Sequence, residues 1–147
     1  IWLAVQDRCW TAERRARHGL PHSPTCVFCD QTLETIDHLL VGYPFSRVIW
    51  HNILAAHRLT VAIPTLTDKF VDWWNSATIS SPTSLRKGFA SLGILLAWSI
   101  WKHRNSVVFD SARPSMDLVI QSILGEAQLW ALAGAKDLAA IAQFEPP

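Results

Sequence analysis

A long apolar segment in the second half of the chain constrains the fold more than any other feature of the sequence. Ser81-Pro82 predicts the start of a helix that runs to about Val108. Apolar residues recur along it at the helical period, and further leucines and tryptophans widen the stripe until most sides are apolar. A helix of this kind is expected at the centre of a bundle. The apolar residues are Phe89, Leu92, Leu95, Leu96, Trp98, Ile100 and Trp101.

The same segment is too short and too interrupted to cross a membrane. The stretch from Phe89 to Trp101 includes Ser91, Gly93 and Ser99, whereas a transmembrane helix needs about 20 predominantly apolar residues. The chain also opens without the basic and apolar regions of a signal peptide. We therefore expect no membrane partner.

The remaining segments predict further helices, so the fold class is mainly α. A short helix is expected over residues 11–18, because Thr11 suits the N-cap and Gly19 suits the left-handed position past the end. Pro44 is typical of a first helical position and predicts a longer helix after it. A last amphipathic helix is expected to end near Gly134.

The cysteines predict a metal site more readily than a disulfide scaffold, which favours a larger and even number of cysteines. The chain has three, Cys9, Cys26 and Cys29. The two-residue gap between Cys26 and Cys29 lets both thiolates point at one ion from a tight turn, and His38 can add a nitrogen from a short helix capped by Thr35. Two ordinary buried thiols are the alternative, and a redox pair lacks its βαβ context.

A family resemblance supports the metal interpretation. The chain reads DRCWTAERRARHGLP and then CVFCDQTLETIDHLLVGYPFSRVIW. This order resembles the C-terminal zinc-binding domain of plant non-LTR, LINE-type retrotransposon reverse transcriptases. That domain has a basic helix, a C-x2-C-x7-8-H-x4-C pattern with a Glu-Thr-x-x-His-Leu stretch, and Cys-Pro-Phe before a Trp. Later segments, LLAWSIWKHRNSVVF and EAQLWALAGAK, resemble the Trp-rich tail that follows in the family.

The resemblance implies a zinc ion held by Cys26, Cys29 and His38. Tyr43 stands where the family has its last ligand cysteine, and a phenol of pKa about 10 must lose its proton to ligate well. Three outcomes stay open: zinc bound by three residues and water, no zinc, or a neighbouring residue as the fourth ligand. The candidate neighbours are His22 and Cys9.

Two structured parts and a connecting segment are predicted. Residues 1–58 form a zinc-knuckle-like part with the basic helix, residues 59–84 connect, and residues 85–147 form a Trp-rich helical pair. Within the connecting segment, residues 76–84 are rich in Ser and Thr and are expected to be a linker.

The resemblance further implies a non-catalytic accessory role in target-primed reverse transcription, in the nucleus. RNA or DNA and the rest of a reverse transcriptase polyprotein are the implied partners. The net charge of +1 requires any basic surface to be local. We predict phosphate contacts for Arg14, Arg15 and Arg17, although a solvated helix face explains them equally well. Lys102 and Arg104 are expected to complement the dipole of the long helix.

A second hypothesis is a structural or protein-interaction helical domain with a vestigial zinc site. The near-neutral charge and Tyr43 favour it. The eight tryptophans could stack bases, but their apolar neighbours favour core packing. An enzyme is the weakest hypothesis, because the sequence has no phosphate-binding loop and no paired carboxylates of the polymerase type.

Overall fold

The computed structural model describes residues 2–6, 8–20, 23–59 and 63–141. This part of the chain is mainly helical, as predicted, with an isolated antiparallel bridge between Thr25 and Leu33. The α-helices are Trp2–Val5 (α1), Ala12–Arg17 (α2), Pro44–Ala56 (α3), Phe70–Ser80 (α4), Arg86–Phe109 (α5), Met116–Leu132 (α6) and Lys136–Ile141 (α7). A π-helical turn, His38–Gly42, precedes α3, and a 3-10 turn, Thr83–Leu85, precedes α5.

Several helices begin or end at the capping residues that the sequence predicts. Thr11 caps α2, because its hydroxyl accepts a hydrogen bond from the Arg14 amide. Gly19 (φ 75°) and Gly134 (φ 110°) adopt the left-handed conformation past the ends of α2 and α6. The short helices α1 and α7 were not predicted.

The long apolar helix is confirmed as the centre of the bundle. α5 contacts α4, α6, α7 and the π-helical turn. Phe89, Leu96 and Ile100 are fully buried. One side of α5 is nevertheless open, since Trp98 is 52% exposed.

Two glycines let neighbouring elements approach α5 closely. A β-carbon at Gly93 would overlap the ring of Trp74 on α4, and one at Gly88 would overlap Ile141 and the Asp137 carbonyl on α7. The absent side chains therefore set how near α4 and α7 lie to the central helix.

The prediction of a linker over residues 76–84 is wrong for residues 76–80. Residues 76–80 continue α4, in which Phe70, Trp73 and Ala77 are buried. The apolar spacing of these three residues stabilises a helix despite the many Ser and Thr residues between and after them. The chain leaves the helix only at Ser81, whose hydroxyl donates to the Ala77 carbonyl.

One hydrophobic core joins residues from both predicted structured parts. It combines Leu39, Trp50 and Ile53 with Leu96 and Ile123. The boundaries at residues 58 and 84 stay a prediction, but no break in the core marks them among the described residues. Within the same residues, no helix combines the length and the hydropathy needed to cross a membrane.

Candidate metal centre

A tight turn brings the two cysteines of the pair together, as predicted. The Asp30 amide donates to the Cys26 carbonyl at 2.8 Å, and Asp30 takes a left-handed φ of 54°. Below the turn, the Cys26 amide donates to Thr32 at 2.8 Å and the Glu34 amide donates to Pro24 at 2.9 Å. These short-range bonds form a hairpin-like knuckle over residues 24–34.

His38 approaches the knuckle from the π-helical turn. The Thr35 hydroxyl accepts from the His38 amide at 3.1 Å, which confirms Thr35 as the cap of the helical segment that begins at Ile36 and continues into this turn. The His38 Nε2 atom lies 3.5 Å from the Cys29 sulfur. The ligand atoms of Cys26, Cys29 and His38 all lie within 4.8 Å of one another.

These distances fit a zinc ion. Zinc binds sulfur at about 2.3 Å and imidazole nitrogen at about 2.0 Å, so the S–N edge of a regular tetrahedron is about 3.6 Å. The Cys29–His38 separation of 3.5 Å matches that edge. Two thiols and one imidazole are also the donor types that zinc prefers.

Burial and hydrogen bonds shift the pKa values of the three groups in different directions. Burial raises the pKa of the fully buried Cys26 thiol to about 11. Burial also acts on Cys29, but the backbone amides of Gln31 and Thr32 outweigh it and leave the pKa of this thiol below its ordinary value. Burial lowers the pKa of His38, against an opposing effect of Glu34. Neutral imidazole is the ligating form, and Cys26 must release a proton to bind.

Tyr43 supports the knuckle by a hydrogen bond of its own. Its hydroxyl donates to the Phe28 carbonyl, between the two cysteines, at 3.1 Å. Its ring stacks on Phe28 with centroids 5.8 Å apart and lies 5.5 Å from the His38 ring. Burial, followed by the nearby Cys26 and Cys29, raises the pKa of the phenol. Tyr43 is thus a packed aromatic residue whose hydroxyl is poorly suited to ligation.

A cleft of about 520 Å³ opens beside this group. Cys29, His38 and Tyr43 line one side, and Asp68 and Lys69 lie on another. Three protein ligands next to a solvent-accessible space match the arrangement in which water completes a zinc tetrahedron. The described residues therefore offer three ligands of the types that zinc prefers, beside an accessible cleft.

Cys9 and His22 were the two candidates for a substitute fourth ligand, and the structure describes only Cys9. Cys9 packs against the hydrophobic core and lines an apolar groove with Trp98 and Trp101. It is absent from the metal-ligand group found among the described residues. His22 lies outside those residues.

A stack of aromatic rings packs the knuckle against α5. Phe28 lies 5.2 Å from Phe45 and 5.8 Å from His103, centroid to centroid, with nearly parallel planes. The His103 Nε2 atom accepts a hydrogen bond from the Ser115 amide at 3.0 Å. The knuckle is thereby linked to α5 and to the start of α6.

A buried ion pair makes a second connection, and sequence reasoning missed it. Glu34 is fully buried, and its Oε1 atom lies 2.6 Å from Arg104 Nη2 and 3.0 Å from Nε. The same oxygen accepts from the Ala12 amide at 2.7 Å. The expectation that Arg104 complements the dipole of α5 is wrong, because the residue lies before the last turn of the helix and is 1% exposed in this ion pair. The Glu-Thr-x-x-His-Leu stretch contains Glu34, but nothing in the sequence indicates its partner 70 residues away.

The basic helix α2 stands at the other side of this carboxylate. The Arg17 Nε atom pairs with Glu13 at 2.6 Å. The guanidinium of Arg14 lies over the Trp10 ring, and that of Arg15 over the Phe109 ring. The three predicted phosphate contacts therefore share one short helix next to the knuckle, and their binding role stays a prediction.

The comparison with known families agrees with this geometry. Residues 1–50 match the family described as zinc-binding in reverse transcriptase. The matched part of the chain contains α1, α2, the knuckle and the start of α3. No curated protein and no solved structure matches the chain.

Proposed function

We propose that this chain is a non-catalytic accessory module of a reverse transcriptase that binds RNA or DNA. Target-primed reverse transcription by a plant LINE-type element, in the nucleus, is the setting that the resemblance implies. One observation carries the proposal: Cys26, Cys29 and His38 converge within 4.8 Å in the segment that matches the reverse transcriptase zinc-binding family.

The attachment of α2 to the knuckle supports a nucleic-acid role. Glu34 accepts the Ala12 amide at 2.7 Å through its side chain and the Glu13 amide at 3.3 Å through its carbonyl. The N-terminus of the basic helix is therefore bonded to Glu34, which precedes His38 by four residues. A zinc ion at the site would crosslink the cysteine turn to the π-helical turn and so stabilise the surface that presents the arginines.

The zinc site itself is proposed to be degenerate. With Tyr43 bonded to the Phe28 carbonyl, three residues would hold the ion and water would complete the tetrahedron. Closed structural sites contribute on the order of 10 kcal/mol or more to folding, and the loss of one thiolate removes a large part of that. We expect weak, exchangeable binding.

Cobalt titration of the purified chain tests the metal site. Cobalt-thiolate absorption should appear with the unmodified chain and should fall when Cys29→Ser or His38→Ala removes a ligand. Cys9→Ser, outside the group, is the matched control and should leave the absorption unchanged. Absence of any thiolate band at saturating cobalt would rule out the proposed site.

A filter-binding titration tests the nucleic-acid role. Single-stranded RNA should bind more weakly as salt rises, and the triple variant Arg14→Ala/Arg15→Ala/Arg17→Ala should weaken binding further. A control with the same loss of charge replaces Lys87, Arg113 and Lys136, which are exposed outside α2. Equal affinity of the two triple variants would count against α2.

The second candidate function is a protein-interaction domain that packs against the rest of a polyprotein. The outer side of α6 favours it, because Leu118, Leu129 and Leu132 are 62%, 59% and 85% exposed on one face. Size-exclusion chromatography with and without RNA separates the two. A monomer that binds RNA tightly supports the first function, and self-association without RNA binding supports the second.

A further inference from the structure

Three aromatic side chains lie exposed on a surface formed by α5 and the residues before α2. Trp98 and Phe109 on α5 are 52% and 63% exposed, and Trp10 is 51% exposed. By contrast, Trp50 and Trp73 are buried in the core. Exposed apolar groups that lie on one surface and are rimmed by polar residues commonly mark a binding site.

The helical register places two of these rings on one side of α5. Trp98, Lys102 and Phe109 are separated by four and seven residues, so at about 100° per residue they lie within roughly 40° of one another. Trp98 and Phe109 are about 16 Å apart along the helix axis. α2 lies beside the C-terminal end of this stripe, since Arg15 reaches over the Phe109 ring.

Each exposed ring has a cation above it. The distances from the cation to the ring centroid are 5.9 Å for Lys102 and Trp98, 5.6 Å for Arg15 and Phe109, and 5.2 Å for Arg14 and Trp10. Glu13, the acidic residue within α2, is paired with Arg17. Asp110 follows Phe109 and is outnumbered by the three cations. We call this set of six residues the aromatic–cation surface: Trp10, Arg14, Arg15, Trp98, Lys102 and Phe109.

We propose that the aromatic–cation surface binds single-stranded nucleic acid by stacking unpaired bases on the ring faces that the cations do not cover. The inference rests on the proposed nucleic-acid function and adds the binding mode and the form of the ligand. A single strand offers flat base faces with a phosphate attached to each, which complements rings that carry neighbouring cations. In a duplex the base faces are covered by their neighbours, so stacking on protein rings requires a single strand.

Fluorescence anisotropy of labelled oligothymidylate and oligouridylate, each about 15 nucleotides long, tests the inference with the whole chain. Trp98→Leu should weaken binding by about tenfold, since each stacked base contributes about 1–3 kcal/mol. Trp98→Phe keeps an aromatic face and should retain most of the affinity. Phe109→Leu should act like Trp98→Leu.

Salt dependence separates stacking from phosphate contacts. Trp98→Leu should lower affinity equally at low and high salt. The triple arginine variant should instead reduce the slope of log affinity against log salt by about 0.7 for each lost phosphate contact. Ile79→Ala, a 72% exposed apolar residue on α4, is the matched control and should change neither quantity. Thermal melts of each variant show that it remains folded.

Failure of this inference is distinguishable from failure of the proposed function. If the unmodified chain binds neither the oligonucleotides nor the duplex, both are wrong. If binding depends on the arginines but survives Trp98→Leu and Phe109→Leu unchanged, the nucleic-acid role stands and stacking is overturned. A duplex of the same length that binds as tightly as the single strand would also overturn it.

Discussion

The knuckle and the helical bundle of this chain are stabilised by different kinds of contact. The knuckle, residues 24–34, depends on a few directional bonds, such as Tyr43 to the Phe28 carbonyl and Glu34 to Arg104. The bundle around α5 depends on many apolar side chains and on glycines that permit close approach. The knuckle is therefore anchored by contacts outside itself, and α5 provides them through Arg104 and His103.

This comparison predicts its largest effect at the ion pair. Arg104→Met should lower the free energy of unfolding by about 3–5 kcal/mol, because it leaves the Glu34 carboxylate buried without a partner. Urea denaturation followed by circular dichroism measures the change. Lys102→Met, two residues away and exposed, is the control and should change stability little.

A double variant sharpens the interpretation. Glu34→Gln/Arg104→Met removes the buried charge and keeps an oxygen that can accept the Ala12 amide. Replacing both members of a buried pair costs much less than breaking it, so stability should partly recover. A double variant as unstable as Arg104→Met would show that the unpaired carboxylate is not the cause.

The next effect concerns packing in the bundle. Gly93→Ala should cost about 1–3 kcal/mol, because its β-carbon would overlap the Trp74 ring. Gly125→Ala on α6 meets no atom within 4 Å and should stabilise the chain by up to about 1 kcal/mol. Thermal melts of the two variants compare them directly, and equal melting temperatures would contradict the close approach of α4.

A smaller effect is expected at Tyr43. Tyr43→Phe keeps the ring but loses the bond to the Phe28 carbonyl, which should cost about 1 kcal/mol. The loss should be the same in zinc and in chelator, because the hydroxyl is not expected to ligate. Thermal melts in both buffers provide the test.

Tyr43→Cys should separate the two ways of stabilising the knuckle. In chelator it should melt below the unmodified chain, since ring and hydroxyl are both lost. In zinc it should gain stability and bind the ion more tightly than the unmodified chain, because a third thiolate supplies the fourth ligand and completes the tetrahedron. Unchanged zinc affinity would mean that residue 43 does not face the metal position.

The smallest effect is the pH dependence of the anchor at His103. Burial lowers the pKa of this imidazole, and its Nε2 atom accepts from Ser115, so protonation disfavours the folded state. Its contribution is present above the unfolded pKa of about 6.5 and is lost as pH falls through the lower folded value. Unfolding free energies measured from pH 7.5 to 5 should show less decline for His103→Gln than for the unmodified chain. His51→Gln, an exposed position, should decline as the unmodified chain does.

Local signals in the sequence predicted much of this architecture. Caps such as Thr11 and Thr35 gave correct helix starts because their hydroxyls accept from amides three residues away. The cysteine turn was predictable for the same reason. The composition of residues 76–84 was misleading, since buried Trp73 and Ala77 hold α4 in place whatever polar residues surround them.

The candidate site was predictable only in part. Cys26, Cys29 and His38 lie within 13 residues, so their spacing already indicates convergence. The bond from Tyr43 to Phe28 and the exposure of Trp98 depend on how separate elements pack. No spacing rule contains that information.

By itself, the sequence determined the mainly helical fold, the central helix and the grouping of the three metal-ligand candidates, because periodicity, caps and short loops act over a few residues. Tertiary structure decided that Arg104 is a buried partner of Glu34 and that Tyr43 bonds to the knuckle backbone. It also decided which tryptophan side chains are exposed to solvent. Those outcomes depend on polar groups that are buried between distant segments. A buried polar group needs a hydrogen-bond partner, but the packing of the segments determines which residue that partner is.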